Sequence, residues 1–322
     1  MQELKFQSMP NFRRLYPTEE DDNNRTPIGK VYRTSRPDFL TSEEAEVVRD
    51  KLGIKSIIDF RSSNEYTNIA NGSKVLDTDY KVYKIKIPFL NFNQKPLKAV
   101  AAKHLPRKRF RKSDENCSRR HFLIDFFKLN YIWLIYSRAP LITKVFSLVY
   151  LIYDAIFRTG FRYFVRPFAK AVLNPRGILG QYKDIIEQSQ NGICAALKLL
   201  SDQENIPAMI NCAHGKDRTG IVAALLLAIM GKSKEYIAYE YSLSTEGLKP
   251  MYERAYSEIV DRFHMSETFV TAEAETMYGL LTYIDNEYGS VENYLTYIGF
   301  DKNDQAQLRR VLSESDADSE TI

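Results

Sequence analysis

The sequence predicts an α/β fold in which a central sheet is flanked by helices. Apolar or alternating runs that are typical of strands lie at residues 30–33, 54–60, 80–87 and 207–211. Helical patterns separate these runs, and the last run leads through a loop with two glycines into a strongly apolar helix. The chain has 322 residues, of which 44% are hydrophobic and 27% are charged, and this composition is ordinary for a globular protein. We expect a single domain over residues 1–312 and a disordered acidic tail at 313–322.

Local signals predict where the helices begin, break and end. Thr41 and Glu44 have the spacing of a capping box, so a helix is expected to begin there. The helical pattern before the last strand is expected to break at Gly192. Residues 221–230 are apolar on nearly every face, and Gly231 follows them. This pattern predicts a buried central helix that ends at the glycine.

The cysteines and the first residues of the chain favour a reducing compartment. Cys117, Cys194 and Cys212 are widely spaced and lack the C-x-x-C spacing of a zinc site, so we expect reduced thiols. The first residues lack the apolar region of a secretory signal, which predicts a cytoplasmic location. The histidines outside the loop also lack the spacing of metal ligands: His104, His121 and His264. We expect neither a metal nor a cofactor.

The loop between the last strand and the apolar helix has the parts of an anion site. Its residues are Cys212, Ala213, His214, Gly215, Lys216, Asp217, Arg218, Thr219 and Gly220. A strand, a glycine-containing loop and a helix that begins in the loop together form a cradle of backbone N–H groups. Gly215 and Gly220 permit tight backbone turns. The sequence therefore predicts that this loop binds a phosphoryl group.

The side chains of the loop also predict nucleophilic catalysis. Cys212, near a helix N-terminus and Arg218, is expected to ionise and to act as the nucleophile. The planar fork of Arg218 can hold two phosphoryl oxygens, and the Thr219 hydroxyl can donate a hydrogen bond to the sulfur when it leaves. Ala213, His214 and the other loop residues are expected to contact the substrate.

Two other interpretations of the loop are a structural cysteine and a nucleotide-binding loop. Cys212 could be a buried structural cysteine beside a helix start, but five matched loop positions in the setting of a strand and a helix argue against it. A nucleotide-binding loop of the Walker type is excluded, because that loop carries Lys followed by Ser or Thr after a G-x-x-x-x-G frame.

The chain resembles the cysteine phosphatases with the pattern C-x5-R-[S/T]-G, and among them the bacterial-type tyrosine phosphatases whose loop reads H-C-x-x-G-K-D-R-T-G. Further stretches that resemble this family lie at residues 11–13, 32–35, 58–65, 180–182, 239–244 and 287–295. The likeness covers nearly the whole chain except a basic insertion. It implies the cysteine-dependent phosphatase fold and hydrolysis of phosphomonoesters through a cysteinyl-phosphate intermediate. Several members of that family act on phosphoinositides as well as on phosphotyrosine.

One departure from the family and one open assignment concern the catalytic groups. Asn211 stands where the family usually has a histidine, so we expect weaker stabilisation of the thiolate. No W-P-D tripeptide occurs, and Asp217 and Asp59 compete as the general acid. The resemblance favours Asp217, whereas Asp59 could instead be a structural partner of Arg61. Arg61 follows the same strand as Asp59, and we expect it to bind substrate.

Residues 103–175 form the part that departs from a minimal phosphatase. From Lys103 to Lys170 there are 15 Lys or Arg residues against four acidic residues. Fourteen aromatic residues lie between Phe122 and Phe168, in two apolar stretches that predict a helical hairpin. In the first stretch, Phe122 to Tyr136, one helical face is expected to carry His121, Asp125 and Lys128. In the second, Leu141 to Phe157, the polar residues are also expected to share one face: Lys144, Ser147, Asp154 and Arg158.

Two roles fit such a basic and aromatic insertion. It could be a hydrophobic lid packed on the core, or it could contact an anionic membrane, whereas nucleic acid is not expected. A membrane span is not expected either, because the longest charge-free runs, at 129–137 and 145–153, have nine residues each. At a membrane, Lys216 and His214 would meet extra phosphates of a phosphoinositide headgroup.

The sequence thus predicts a cytoplasmic protein-tyrosine phosphatase that also has phosphoinositide phosphatase activity and can associate peripherally with membranes. Its substrates would be phosphorylated proteins or phosphoinositides. The alternative from a different class is a catalytically weak pseudophosphatase module that binds phosphate or membranes. That alternative is motivated by Asn211, which replaces the family's usual histidine, and by the absence of a W-P-D tripeptide that would supply the general acid.

Overall fold

A computed structural model describes residues 5–15, 30–68, 74–85, 104–106 and 119–313 of this chain. Within these ranges, seven strands form one sheet in the order β1-β2-β7-β3-β6-β4-β5. The strands are β1 (Arg13–Arg14), β2 (Val31–Thr34), β3 (Ser56–Asp59), β4 (Lys81–Ile85), β5 (His104–Pro106), β6 (Arg120–Leu123) and β7 (Ala208–Asn211). The inner five strands are parallel, and the edge strands β1 and β5 are antiparallel to their neighbours.

Helices surround the sheet on both faces. They are α1 (Ser42–Glu46), α2 (Ser63–Asn68), α3 (Leu129–Arg138), α4 (Leu141–Phe157), α5 (Arg162–Phe168), α6 (Asn174–Gln188), α7 (Gln190–Leu200), α8 (Asp217–Ile229), α9 (Lys234–Gly247), α10 (Tyr252–Tyr256), α11 (Ala274–Tyr288), α12 (Val291–Tyr297) and α13 (Lys302–Ser313). A π-helical turn, Ser257–Asp261, continues α10. The predicted α/β fold with a central sheet flanked by helices is confirmed.

The two faces of the sheet separate the core into two apolar clusters. Ile58 and Ile210 belong to the larger cluster, which also contains the buried residues of α8 from Ile221 to Ile229. Ile57 and Met209, which precede them in the same strands, belong to the smaller cluster beneath α1. This division follows from the alternation of side chains along a strand. Packing of α8 against the sheet therefore fixes the start of this helix near the carboxyl end of β7.

Several local predictions agree with these elements. The predicted strands correspond to β2, β3, β4 and β7, although residues 86 and 87 lie outside the described residues. The capping box of Thr41 and Glu44 is formed at the start of α1. The predicted break at Gly192 is wrong, because the chain breaks at Ser189 and Gly192 lies inside α7. An added Cβ at Gly192 would lie 3.0 Å from the ring of Phe126, so this glycine permits close packing.

The insertion is smaller and less helical than predicted for residues 103–175. Strand β6 pairs with both β3 and β4 and so belongs to the central sheet, and β5 pairs with the edge of β4. The helical part begins only at Leu129, so His121 and Asp125 do not lie on a helix as expected. Residues 107–118 lie outside the described residues, and they include Cys117 and the basic residues at 107–112. Residues 314–322 of the predicted tail also lie outside them.

Helix α4 has the reverse of the usual polarity. Its buried residues are Thr143, Ser147 and Asp154. The exposed residues of the same helix are apolar: Leu141, Ile142, Val145, Phe146, Leu148, Val149, Tyr150, Ile152, Tyr153, Ile156 and Phe157. We call these eleven residues the apolar face. The predicted polar side was correct for Ser147 and Asp154, but that side points into the protein rather than toward water.

Polar contacts explain why this helix buries its polar side. The carboxylate of Asp154 accepts hydrogen bonds from the backbone N–H of Phe164, at 2.7 Å, and of Tyr163, at 3.3 Å, and from the Thr159 hydroxyl. These contacts satisfy free N–H groups at the beginning of α5, as a capping residue does. No helix in the described part of the chain is both long enough and apolar enough to cross a bilayer.

Candidate active site

The loop of residues 212–216 connects β7 to α8 at the carboxyl edge of the sheet. In the register of the parallel strands, Asn211 lies between Thr34 and Asp59, so three strand ends meet beside the loop. Open α/β sheets bind ligands at such an edge. Cys212 is 2% exposed and follows the central one of these strands.

All four carbonyl groups from Ala213 to Lys216 are held by donors outside the loop. The Asn11 amide donates to His214 O at 3.2 Å and to Gly215 O at 3.0 Å. The Arg33 guanidinium donates to Gly215 O at 2.8 Å and to Lys216 O at 3.4 Å. The N–H of Arg36 donates to Ala213 O at 3.3 Å. The loop carbonyls are therefore not free to face an anion.

The N–H groups of the same four residues have no hydrogen-bond acceptor among the described residues. Together with the first turn of α8 they supply unpaired donors, and the helix dipole adds positive potential there. Gly215 permits this turn, because its φ is +66° and an added Cβ would lie 2.1 Å from the carbonyl oxygen of Thr34. The loop is thus built to hold an anion through its backbone.

The residues that hold the loop are themselves fixed by one buried carboxylate. Glu240 pairs with Arg33 at 2.5 Å and with Arg13 at 2.8 Å. Burial opposes ionisation of Glu240, but the two guanidinium groups outweigh it and hold its pKa below the usual value. The resemblance at residues 11–13, 32–35 and 239–244 marked these segments, but no role was predicted for them. Their common role is to orient the loop.

Arg218 is anchored by Glu65, a contact that the sequence analysis did not predict. The two guanidinium nitrogens donate to the two carboxylate oxygens at 2.8 and 3.0 Å, and one also donates to the carbonyl of Phe60 at 2.9 Å. The ring of Phe127 lies 4.7 Å from the guanidinium carbon. Burial disfavours the charged arginine, but Glu65 outweighs it and raises the pKa of Arg218. The planar fork is therefore charged and fixed in direction.

Lys216 does not point into the cavity as predicted from the sequence. Its side chain is fully buried, and its ammonium donates to the carbonyl of Thr271 at 3.0 Å and contacts the Asp217 carboxylate at 2.9 Å. This placement contradicts the expectation that Lys216 meets extra phosphates of a substrate, because its ammonium is already bound inside the protein.

Asp217 lies at the first turn of α8 and lines the cavity. Besides Lys216, its carboxylate accepts a hydrogen bond from the Tyr182 hydroxyl at 2.8 Å. Burial raises the cost of the charged form, but the Lys216 ammonium outweighs it and holds the pKa of Asp217 below its usual value. Asp217 can therefore reach a substrate, and its neighbours control its protonation.

Asp59 has a different environment. It is fully buried, binds the Arg61 guanidinium at 2.6 Å, and lies 3.4 Å from His121 Nε2. Burial opposes its ionisation, but Arg61 and His121 together hold the pKa of Asp59 well below its usual value. Asp59 does not line the cavity, whereas Arg61 does, although Asp38 and Asp59 occupy its guanidinium. Of the two candidate acids, the structure brings only Asp217 to the cavity.

The cavity above the loop has a volume of about 200 Å³. Its charged and polar lining residues are Arg36, Arg61, Glu65, Gln181, His214, Asp217, Arg218, Glu258 and Arg262. Its apolar lining residues are Phe127, Ala213, Ile259, Phe263, Met265 and Phe269. The predicted contact residues Ala213 and His214 thus line it. Gly215 does not line the cavity, because it packs against the carbonyl of Thr34. Gly220 lies inside α8, where an added Cβ would lie 3.0 Å from the Tyr241 ring.

The remaining predicted groups lie close to the nucleophile in sequence and are buried. Thr219 Oγ1 has no hydrogen-bond partner among the described residues, and neither does the side-chain amide of Asn211. Cys194 is a free, buried cysteine in α7, and burial raises the pKa of its thiol to about 11. No group of three His, Cys, Asp or Glu residues in the described ranges could hold a metal ion.

Comparison with protein families identifies the class to which this fold and loop belong. A family model for the tyrosine phosphatase family matches residues 4–150 and 168–314. The chain therefore belongs to the tyrosine phosphatase family. The residues between the two matched ranges, 151–167, include the end of α4, its connection to α5 and most of α5.

Two curated relatives are similar to parts of the chain. The triple specificity protein phosphatase PtpB of Mycobacterium tuberculosis is 28% identical over 120 residues, which cover 33% of this chain and 44% of PtpB. A tyrosine-protein phosphatase of Nostoc commune is 29% identical over 143 residues, which cover 42% of this chain and 48% of that protein. The chain thus spans slightly less than half the length of these two relatives.

Replacement of Glu65 by Gln is expected to lower kcat/KM for an aryl phosphate by about 10- to 100-fold, because charge-assisted hydrogen bonds contribute roughly 1.5–3 kcal/mol. Glu204→Gln is a matched control, since Glu204 is 73% exposed and pairs only at the surface with Arg120. The assay is hydrolysis of p-nitrophenyl phosphate. Equal rates for the two variants would contradict the anchoring role of Glu65.

Proposed function

We propose that this protein is a protein-tyrosine phosphatase that hydrolyses phosphomonoesters through a cysteinyl-phosphate intermediate. The observation that carries the proposal is the loop, whose four carbonyls are held outward while its N–H groups have no acceptor among the described residues. Such a loop binds a phosphoryl group in the ground state and in the transition state. A pseudophosphatase would share the cradle but would have no use for a nucleophile beside it.

In the first chemical step, the sulfur of Cys212 attacks phosphorus and the bond to the leaving oxygen breaks. Asp217 gives its proton to that oxygen, and Arg218 holds two phosphoryl oxygens. In the second step water attacks phosphorus, Asp217 takes a proton from the water, and the phosphorus–sulfur bond breaks. Thr219 then donates a hydrogen bond to the departing thiolate, for which its unpaired hydroxyl is available.

The walls of the cavity favour an aryl phosphate. Phe127, Phe263 and Phe269 line it together with three smaller apolar residues, and a phenol ring can pack against such side chains. Phosphotyrosine in a protein is therefore the primary substrate class. Phosphoinositides are a second class, because Arg36 and Arg262 line the same cavity and can pair with additional phosphates.

The apolar face of α4 supports contact with an anionic membrane. A helix that exposes eleven large apolar side chains is costly in water but suits the boundary between headgroups and acyl chains. Lys144, Arg158 and Arg162 lie on or next to this helix and can pair with anionic headgroups. Docking of the apolar face on a membrane would bring the cavity close to lipid substrates and to phosphorylated proteins at that membrane.

The activity is tested by hydrolysis of p-nitrophenyl phosphate and of a tyrosine-phosphorylated peptide. Wild-type protein is expected to release phosphate from both, with inhibition by vanadate. Cys212→Ser is expected to lose the activity by a factor of at least about 10⁴. Phosphate binding without hydrolysis in the wild type would instead favour the pseudophosphatase alternative.

The role of Asp217 predicts a specific pH dependence. A general acid must be protonated, and Lys216 lowers the pKa of Asp217, so kcat is expected to fall with rising pH already in the acidic range. Lys216→Met removes the cation and is expected to move this basic limb to higher pH. Asp217→Asn is expected to abolish the limb on a substrate with a poor leaving group. A limb that persists in Asp217→Asn but vanishes in Asp59→Asn would reverse the assignment.

Membrane contact predicts that vesicle binding depends on the apolar face. The double variant Ile152→Ser, Ile156→Ser is expected to bind vesicles of anionic lipid at least about tenfold more weakly than wild type, because it removes apolar area from the bilayer. Tyr239→Ser is the control, since Tyr239 is 53% exposed but lies on α9 and does not belong to the apolar face. Co-sedimentation at two salt concentrations separates the contribution of apolar burial from that of electrostatic attraction to the lipid headgroups. Equal binding of the two variants would contradict this docking mode.

A further inference from the structure

One carboxylate in the cavity wall is surrounded by an excess of positive charge. Glu258, in the π-helical turn, pairs with Arg36 and accepts a hydrogen bond from His214 Nε2 at 2.9 Å. A second guanidinium, that of Arg254, lies 4.0 Å from the same carboxylate. Burial disfavours the charged carboxylate, but His214 and Arg36 outweigh it and lower the pKa of Glu258 to about 2.

This single carboxylate does not use all the donors around it. Arg36 is 3% exposed, and its Nε is buried without a hydrogen-bond partner among the described residues. The Nε of Arg254 is likewise buried and has no hydrogen-bond partner among the described residues, although it lies 4.0 Å from the Glu258 carboxylate. Burial and the charge of Arg36 both lower the pKa of Arg254, as expected for two guanidinium groups close to each other. Buried donors of this kind have capacity for another anion.

The cluster is adjacent to the catalytic loop. The backbone N–H of Arg36 donates to the carbonyl of Ala213, the residue after Cys212. Arg36, His214 and Glu258 line the same cavity as Arg218. A ligand held by Arg218 could therefore extend a second anionic group toward Arg36 without leaving the cavity.

We propose that Glu258 occupies a second phosphate subsite, from which a substrate with two neighbouring phosphomonoesters displaces it to bind Arg36 and His214. This inference rests on the proposed function and deepens it, because it assigns the substrate class that the cavity selects. The side chain of Glu258 is 24% exposed, so it can turn toward solvent when a second phosphate binds. π-helical turns are frequent at functional sites.

The inference distinguishes Glu258 from a purely structural latch. A latch would hold Arg36 and His214 in place for every substrate, so its loss would change the affinity for one and for two phosphates by the same factor. A displaceable occupant competes only with the second phosphate. Removal of its charge therefore favours the doubly phosphorylated ligand selectively.

The test measures dissociation constants by calorimetry in a Cys212→Ser background, which prevents turnover. The probes are short-chain phosphatidylinositol 3-phosphate, its 3,4- and 3,5-bisphosphates, and a phosphotyrosine peptide with and without a neighbouring phosphoserine. Glu258→Gln is expected to raise the affinity ratio of two phosphates over one by about tenfold in at least one of the two series. The series that responds identifies the source of the second phosphate.

Glu253→Gln is the matched control, because Glu253 is exposed in the neighbouring helix and does not line the cavity. Arg36→Gln is expected to remove the gain produced by Glu258→Gln. If that variant does not fold, Glu258→Gln and its control still decide the matter. A ratio that is unchanged by Glu258→Gln, or raised equally by Glu253→Gln, overturns the inference. Failure of the Cys212→Ser background to bind any singly phosphorylated probe would instead contradict the proposed function.

Discussion

The orientation of four peptide groups in the loop is the constraint on which the rest of the site depends. Their carbonyls accept hydrogen bonds from Asn11, Arg33 and the backbone of Arg36, so the N–H groups are left for an anion. A buried carboxylate, Glu240, fixes the guanidinium that holds two of these carbonyls. The cost of burying these charges is offset because each has a partner. The site is thereby ordered before any substrate arrives, and preorganisation of this kind is a main source of catalysis.

The loop of residues 212–220 and the elements on either side of it could be predicted from sequence because their signals are local. The proposed nucleophile Cys212, Arg218 and the two glycines lie within nine residues, between a strand and a helix that periodicity alone predicts. The contact between Glu65 and Arg218 could not be predicted in this way, since 153 residues separate them. The burial of Lys216 depends on the carbonyl of Thr271, which is likewise remote in sequence.

The insertion shows a different limit of sequence analysis. The periodicity of α4 correctly placed Ser147 and Asp154 on one side of a helix, but periodicity does not say which side is buried. The answer depends on the tertiary contact in which Asp154 caps α5. Residues 120–123 fall within the predicted insertion of 103–175, yet they pair on both sides within the sheet. Pairing with distant strands decided their structure.

The central claim is that Cys212 forms a covalent phosphoryl intermediate within this preorganised loop. The most direct measurement is acid quenching during turnover of an aryl phosphate, followed by mass spectrometry of the peptide that contains position 212. The account predicts a phosphoryl group on the sulfur of Cys212, which accumulates further in Asp217→Asn because attack by water is slowed. Product formation without this adduct, or a phosphoryl group on His214 instead, would contradict the account.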